Sequence, residues 1–353
     1  MKVLFVYYVP SGGVETLNRQ RCRALRLAGI EGHCLYYGWG AGIQNSVDFP
    51  VYISRNDIEI KHILDSNQYD AIVVTTDHAS FARFSMLGFK GKFVLEIQGY
   101  GPKEVARAQL TAAMPYINQY ASALLNPNTP HIAALFQELY PHKPQFNFNN
   151  CFDTTYFTYN SYIHPEYPVI AWLGRIEDNK NWREFLHIGH QLSQHVPNLR
   201  MWMFEDNHLS VPAEREQFQQ LIAELGLQDR LTVRANVSNG EMPYYFSVIG
   251  DSGGFLCSTS KVEGAPYAVL EAMSCRCPVL TTDSDGVSTS VYHNATGKFY
   301  TLGNIQHAVQ EGLELMHNAA LREQIRAGAM QHVQQAFNPH VYAANFANMI
   351  HSV

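Results

Sequence analysis

Short apolar segments alternate with segments of helical periodicity along most of this 353-residue sequence. The apolar segments predict buried strands, because a parallel strand covered by helices on both faces is apolar at nearly every position. This alternation predicts an α/β fold with doubly wound, parallel sheets. The predicted strands are Val3–Tyr8, His33–Tyr37, Ala71–Thr75, Phe93–Ile97, Ala123–Leu125, Val169–Leu173, Arg200–Phe204, Leu231–Val233, Gly254–Cys257 and Pro278–Thr281.

Helices are predicted between these strands and after them. They include Val14–Ala28, Lys103–Tyr120, Trp182–His195, Pro212–Leu225, Pro243–Ile249, Ala265–Ser274, helical patterns between Asn304 and Ala336, and His340–Ile350. The alternation pauses in the polar, aromatic segment 149–168, which we interpret as a linker. We expect an N-terminal Rossmann-like domain over residues 1–160 and a C-terminal one over residues 161–337. We expect the helix at about 338–353 to pack back on the first domain.

Composition narrows the classes of function. A net charge of −6, a pI near 6.2 and the lack of any Lys/Arg run argue against a nucleic-acid partner. The apolar run Val3–Val9 is followed by Pro and Gly-Gly, which predicts a strand and not a signal peptide. No run approaches the ~20 apolar residues that span a bilayer. The six cysteines, Cys275 and Cys277 among them, lack zinc-site spacing, and we expect reduced thiols in a cytoplasmic protein.

Ligands of open α/β sheets bind outside the carboxyl ends of the strands, and two facing domains would place that site in the cleft between them. Four motifs follow predicted strands. The first is Ser11-Gly12-Gly13-Val14-Glu15. Its paired glycines permit close approach of the backbone to a ligand at a helix N-terminus. A simple strand-to-helix turn is the alternative.

The second motif places two cations, Arg175 and Lys180, in a turn after the strand Val169–Leu173. An Arg fork and a Lys point charge together suit a departing diphosphate. A surface turn with a local Arg–Glu pair is the alternative. A later strand-end motif, with Asp283 and Asp285, suits Mg²⁺ or Mn²⁺, although an Asp/Gly-rich turn explains it as well.

The remaining motif, KVEGAPYAVLEAM, is the most informative. Glu263 lies in a loop, Pro266 suits the first turn of a helix, and Glu271 follows about two turns later. The backbone N–H groups that would be free to hold a phosphate are those of Ala265, Tyr267 and Ala268. One carboxylate on each side of a diphosphate fits a nucleotide sugar. Two ordinary surface acids on a solvated helix are the alternative.

The segments GRIEDNKN, EGAPYAVLEAM, CRCPVLTTDSDGV and NATGKFY, in this order, resemble family 4 of the retaining glycosyltransferases. That family shows GR-x4-K, an E-x7-E motif that runs into an EAM helix, PVV with a Gly-rich turn, and TG. It has the GT-B fold, in which two Rossmann-like domains face each other across a cleft. Further matches extend the resemblance over most of the chain: Gly12-Gly13-x-Glu15, Asn150-Cys151-Phe152-Asp153-x3-Phe157 and Glu241-Met242-Pro243-Tyr244-Tyr245.

The resemblance implies a role for each matching residue. Arg175 and Lys180 would hold the donor diphosphate, Glu271 the ribose, and Glu263 the 3- and 4-hydroxyls of the transferred sugar. Catalysis would then involve Glu263, Arg175 and Lys180. The donor site would be completed by Gly12, Gly13, Asn236, Val237, Gly264, Ala265, Pro266 and Tyr267, with the base near Arg234–Val237.

The sequence also departs from the family pattern. Gln98 stands where the family has a His against the donor sugar, and we assign Gln98 and His78 as acceptor or sugar contacts. Ala265-Pro266 replaces Phe-Gly beside the sugar. Phe204-Glu205-Asp206 replaces a Gly-rich turn near the nucleoside, and Asn126 stands where a Ser is common.

The resemblance implies retaining transfer of a hexose, glucose by family frequency, from a UDP-sugar to a glycan or lipid-linked oligosaccharide in polysaccharide biosynthesis. We expect a front-face route without a metal or other cofactor. Such an acceptor would bring the protein to the inner face of the cytoplasmic membrane as a peripheral protein. Three alternatives stay open: a nucleotide-sugar epimerase of the same fold, a catalytically silent nucleotide-sugar-binding scaffold, and a metal-dependent transferase that uses Asp283 and Asp285.

Overall fold

The computed structural model describes residues 1–206 and 210–353. The chain divides into two compact units, the first formed by Met1–Asp153 with Ala336–Val353 and the second by Thr154–Gln335. Each unit contains one parallel sheet packed against helices, which confirms the predicted class of two Rossmann-like α/β domains.

The elements of the chain follow the predicted alternation. Up to residue 147 they are β1 Lys2–Tyr7, α1 Gly12–Leu25, β2 Glu31–Tyr36, β3 Val51–Ile53, α2 Asp57–Asn67, β4 Ala71–Thr75, α3 Ser80–Met86, β5 Lys92–Glu96, α4 Lys103–Ala112, α5 Met114–Tyr120, β6 Ala123–Asn126, α6 Pro130–Leu139 and β7 Gln145–Asn147. The second unit contains β8 Val169–Gly174, α7 Trp182–His195, β9 Arg200–Glu205, α8 Pro212–Glu224, β10 Leu231–Ala235, α9 Met242–Asp251, β11 Phe255–Ser258, α10 Tyr267–Ser274, β12 Val279–Thr282, β13 Lys298–Tyr300, α11 Ile305–His317 and most of α12 Ala319–Ala336. The helix α13 Pro339–Ser352 returns to the first unit.

Both sheets are parallel throughout the described strands. The seven-stranded sheet has the order β3-β2-β1-β4-β5-β6-β7, and the six-stranded sheet has the order β10-β9-β8-β11-β12-β13. The strand order therefore reverses once in each sheet, between β1 and β4 and between β8 and β11. The strands at these two points are almost fully buried, which explains their continuous apolar sequence.

The structure differs from the sequence prediction at several elements. The three-residue strands β3, β7 and β13 were not predicted, because so few residues carry no periodicity. The predicted helix Lys103–Tyr120 is two helices, α4 and α5. Pro115 in the first turn of α5 lacks the N–H that a continuous helix would need. Between α11 and α12, Asn318 accepts a hydrogen bond from Leu321 N at 3.1 Å and so starts a new helix.

A buried ion pair at the centre of the first unit joins α1 to β5. Arg21 of α1 donates from Nη1 to Glu96 of β5, at 2.7 and 2.8 Å from the two carboxylate oxygens. Thr75 Oγ1 donates to the same carboxylate at 2.8 Å, and the guanidinium lies 3.8 Å from the ring centroid of Phe5. Burial lowers the pKa of Arg21, but the Glu96 carboxylate raises it above its usual value, so the guanidinium stays charged.

The helix α13 completes this core. It packs against α1, and the rings of Phe346 and Phe5 lie 5.8 Å apart between centroids. Tyr342 is 2% exposed. The chain re-enters the first unit through a hydrogen bond from Phe152 N to Phe337 O at 2.8 Å.

Replacing Glu96 with Gln should destabilise the first unit by ~3 kcal/mol or more, because the buried Arg21 charge would lose its partner. Hydrogen exchange on peptides from residues 1–153, measured against residues 154–335, locates and quantifies this loss. Glu138→Gln is the matched control, because Glu138 pairs with Arg107 on the surface and should matter little. Equal effects of the two substitutions would contradict the assigned role of the buried pair.

Candidate functional site

The site in the second unit lies where the strand order reverses. The loops that leave β8 and β11 lie at the carboxyl edge of the sheet, where α/β sheets bind ligands at such a reversal. Hydrogen bonds join the two loops directly. Asn179 Nδ2 donates to Val262 O at 3.1 Å, and Lys261 N donates to Asn179 O at 2.9 Å.

Two predicted site residues meet across these loops. Lys180, after β8, forms an ion pair with Glu263, after β11, and their side chains are 23% and 15% exposed. Thr259 Oγ1 donates to Lys180 O at 2.9 Å and accepts from Trp172 Nε1 at 3.1 Å, which fixes the turn that carries the lysine. An ammonium beside a carboxylate suits a ligand that is anionic at one end and rich in hydroxyl groups at the other.

Arg175 does not join this pair in the structure. Its guanidinium lies 3.1 Å from Glu177 Oε1, and its side chain is 48% exposed. This contact is the local Arg–Glu pair that the alternative interpretation of the motif predicts. Exposed pairs of this kind contribute only ~0–1 kcal/mol, so a stronger anion can recruit the guanidinium.

Glu271 is not an ordinary surface acid. It lies on α10, is 4% exposed, and accepts a hydrogen bond from Asn239 Nδ2 at 3.2 Å. Asn239 lies in the loop after β10, so this contact links that loop to α10. A carboxylate buried against an amide, on the helix that follows the Glu263 loop, suits the recognition of paired hydroxyl groups.

The start of α10 differs from the prediction. The helix begins at Tyr267, with Pro266 immediately before it at φ −83° and ψ 75°. Tyr267 N donates to Ala265 O at 3.0 Å, so the prediction of a free N–H at Tyr267 was wrong. The tight turn at Pro266 engages this N–H in a hydrogen bond within the loop.

Gly286 holds the loop that carries Glu263. Its N–H donates to Glu263 O at 2.8 Å, and a Cβ added at this glycine would overlap Gly264 O. Sequence reasoning missed both Gly286 and Asn239. The Asp-Gly turn after β12 is a signal for Gly286, whereas nothing local in the sequence marks Asn239.

The metal alternative rested on Asp283 and Asp285. Asp283 is exposed, and the side chain of Asp285 lies outside the described residues. Among the residues that the structure describes, no group of three or more His, Cys, Asp or Glu side chains could hold a metal ion.

The predicted nucleoside loop has one residue in the left-handed conformation. Asn236 has φ +53°, which Asn tolerates better than other residues except Gly, and its N–H donates to Glu205 O at 2.8 Å. Val237 follows it at the same edge of the sheet. Glu205, in the segment that replaces the Gly-rich turn, forms an ion pair with Arg215 at 2.6 Å, and its side chain is 4% exposed.

The remaining predicted site residues lie in the first unit. The helix α1 begins at Gly12, which has φ +66°, and Gly13 follows in its first turn. Gln98 exchanges two hydrogen bonds with Asn150, at 2.7 and 3.2 Å, so its amide is engaged. His78 Nδ1 is buried without a partner among the described residues, and burial lowers its pKa.

Within residues 1–206 and 210–353, no helix is long and apolar enough to cross a membrane. All six cysteines are buried and unbridged. Burial raises the pKa of the Cys277 thiol to about 12, which fits a packing role.

Residues 160–332, most of the second unit, match the family Glycosyl transferases group 1. In the structural comparison, HepE of Anabaena, solved with UDP-glucose, superposes over all of both chains with a TM-score of 0.83 at 17% identity. Sucrose-phosphate synthase of Thermosynechococcus elongatus has a TM-score of 0.81 at 15% identity, over 100% of this chain and 98% of that one. The fold is GT-B. Family match and GT-B fold together support a glycosyltransferase.

Two curated proteins are similar over parts of their sequences. The 2-deoxystreptamine N-acetyl-D-glucosaminyltransferase of Niallia circulans is 21% identical over 184 residues, 52% of this chain and 45% of that protein. The alpha-D-kanosaminyltransferase of Streptomyces kanamyceticus is 25% identical over 130 residues, 37% of this chain and 31% of that protein. The chain thus spans less than half the length of each of these two relatives.

Substituting Gly286 with Ala should displace the Glu263–Gly264 backbone and weaken ligand binding at this site at least tenfold. Isothermal titration with UDP and UDP-glucose measures the change. Gly38→Ala is the control, because its Cβ would meet nothing closer than 3.5 Å. Unchanged affinity in a folded Gly286→Ala protein would show that this loop does not form the site.

Proposed function

We propose that this GT-B protein is a retaining hexosyltransferase that moves glucose from UDP-glucose to a glycan or lipid-linked oligosaccharide in polysaccharide biosynthesis. The observation that carries the proposal is the pairing of Lys180 with Glu263 where the strand order of the second sheet reverses. A cation beside a hydroxyl-accepting carboxylate matches the diphosphate and the hexose of a nucleotide sugar. The family match over residues 160–332 supports the same class of donor.

The donor is proposed from two lines of support. HepE of Anabaena, of the same fold, was solved with UDP-glucose, which supports UDP as the nucleotide and glucose as the sugar. The two curated relatives are named for other sugars, N-acetylglucosamine and kanosamine, so donors with amino sugars belong in any test.

In the proposed donor complex the diphosphate displaces the local ion pairs. Lys180 turns from Glu263 to the phosphate oxygens, and Arg175 leaves Glu177 to bind them as a fork. The freed Glu263 carboxylate accepts hydrogen bonds from the sugar hydroxyls, and Glu271, held by Asn239, accepts from the ribose. The base lies against Asn236 and Val237, and the backbone from Gly264 to Tyr267 contacts the sugar and phosphate.

The transfer step follows a front-face route. The bond between the anomeric carbon and the β-phosphate oxygen breaks, and the acceptor hydroxyl attacks the same face. A phosphate oxygen of the leaving UDP takes the acceptor's proton. Arg175 and Lys180 stabilise the charge that develops on the diphosphate, which is the main electrostatic contribution of the protein. Because these cations carry that charge, we propose that no metal ion is required.

The nucleotide preference can be measured by thermal stabilisation in EDTA with UDP, GDP, ADP and their common sugars. Ligand at about 100 times its Kd adds ~2.7 kcal/mol of stability. We expect a shift with the UDP series that is lost in Glu271→Ala and kept in Glu216→Ala, which removes an exposed carboxylate from α8. Absence of any shift would contradict the proposed donor site. A shift without any turnover of the donor would favour the silent scaffold, and isomerised donor without acceptor would identify the epimerase.

Arg175→Ala should lower turnover about a hundredfold or more, because one transition-state contact of this kind contributes ~3 kcal/mol. Lys261→Ala is the matched control, since Lys261 pairs with Asp178 on the surface beside the same turn. Initial rates of UDP release with a saccharide acceptor report the effect. Near-normal turnover in Arg175→Ala would exclude its proposed role.

A further inference from the structure

The first unit has a strained turn where the order of its own strands reverses. Thr76, directly after β4, has φ +71°, and Asp77 N donates to Thr75 O across it at 2.9 Å. This is a left-handed γ-turn, which is rare and costly for a β-branched residue. Tyr100 Oη donates to Thr76 O at 3.2 Å and helps to hold the turn. Strain of this kind concentrates at ligand sites, and here it presents Asp77 and His78 at the edge next to β1.

A hydrogen-bond relay ends at Asp77. Ser80 Oγ donates to Asp77 Oδ2, and Ser80 has one hydroxyl proton, so Tyr37 Oη donates to Ser80 Oγ at 2.7 Å. The relay fixes one oxygen of the carboxylate. Among the described residues, nothing donates to Asp77 Oδ1, and Asp77 is half-buried.

Tyrosine rings lie close to this relay. The rings of Tyr8 and Tyr37 lie 6.5 Å apart between centroids, and Tyr8 is 43% exposed at the end of β1. Burial, followed by the charge of Asp77, raises the pKa of Tyr8 to about 12. Burial and, among other neighbours, Asp77 also raise the pKa of Tyr100. The phenols of Tyr8 and Tyr100 therefore stay neutral near neutral pH.

Asp77 has no ion-pair partner among the described residues. Two guanidinium groups approach the ring cluster: Arg55 Nε donates to Tyr37 O at 2.7 Å, and the guanidinium of Arg83 lies 5.5 Å from the Tyr37 centroid. Arg83 is occupied, because it donates to Asp57 Oδ1 at 2.7 Å and to Arg55 O at 2.5 Å. His78 supplies no charge near neutral pH, since burial lowers its pKa.

An anion with one open oxygen, no ion-pair partner among the described residues and tyrosine rings close to its relay has the chemistry that binds an ammonium group. We propose that Asp77, with Tyr8 and Tyr37, forms a subsite for an acceptor sugar that bears a protonated amine. Its assignment to the acceptor rests on the proposed transferase function. The binding of an amino sugar at this edge of the sheet does not depend on that function.

The test is ligand-observed NMR titration at pH 6.5 with methyl glucosaminide, methyl N-acetylglucosaminide and methyl glucoside. We expect the free amine to bind at least tenfold more tightly than the two neutral sugars. Asp77→Asn should abolish that preference, since a charge-assisted contact is lost. Tyr8→Leu, at a partly exposed position that tolerates change, should reduce it several-fold.

Asp65→Asn is the control, because it removes an equal charge from an exposed pair on α2 and should keep the preference. Equal binding of all three sugars, or loss of the preference in Asp65→Asn as well, would overturn the proposal. Titration of UDP into the same samples separates the two hypotheses. Bound UDP without amine preference rejects only the amine subsite, whereas amine binding without UDP binding rejects the transferase.

Discussion

Parallel hydrogen bonding in both sheets is the constraint on which the functional geometry depends. It sends the carboxyl end of every described strand to one edge, and the single reversal of strand order then opens a gap at a fixed place in each sheet. In the second sheet this brings Lys180 against Glu263 from segments 83 positions apart. In the first it brings the glycine loop before α1 and the strained turn at Thr76 to neighbouring strands. The positions of β1 and β8 in the strand order therefore determine where the candidate ligand-binding residues of each unit lie.

Those parts of the fold that depend on local sequence could be predicted. Long apolar runs such as Ala71–Thr75 are found as strands, since burial on both faces leaves a signal at every residue. The edge strand β13 could not be predicted, because three residues pair there only through the neighbouring β12. Pro115 is visible in the sequence, but a proline in the first turn of a new helix and a proline that kinks a continuous helix have the same local pattern.

The same distinction applies to the candidate site. Lys180, Glu263 and Glu271 could be named from spacing, although their roles remain proposals. Their partners could not be named, since Asn239 reaches Glu271 and Gly286 reaches Glu263 only through the packing of separate loops. The N–H of Tyr267 was assigned wrongly because helix propensity does not reveal the turn that Ala265 and Pro266 form.

The helix α13 belongs to the first unit but follows the whole second unit in the chain. During synthesis, which proceeds from the N-terminus, α1 therefore emerges without the helix that covers it. Phe5 and the Arg21–Glu96 pair therefore lack the cover of α13 while about half of the protein is translated and folds. The second unit can mature on the ribosome, whereas the first reaches its final packing only afterwards.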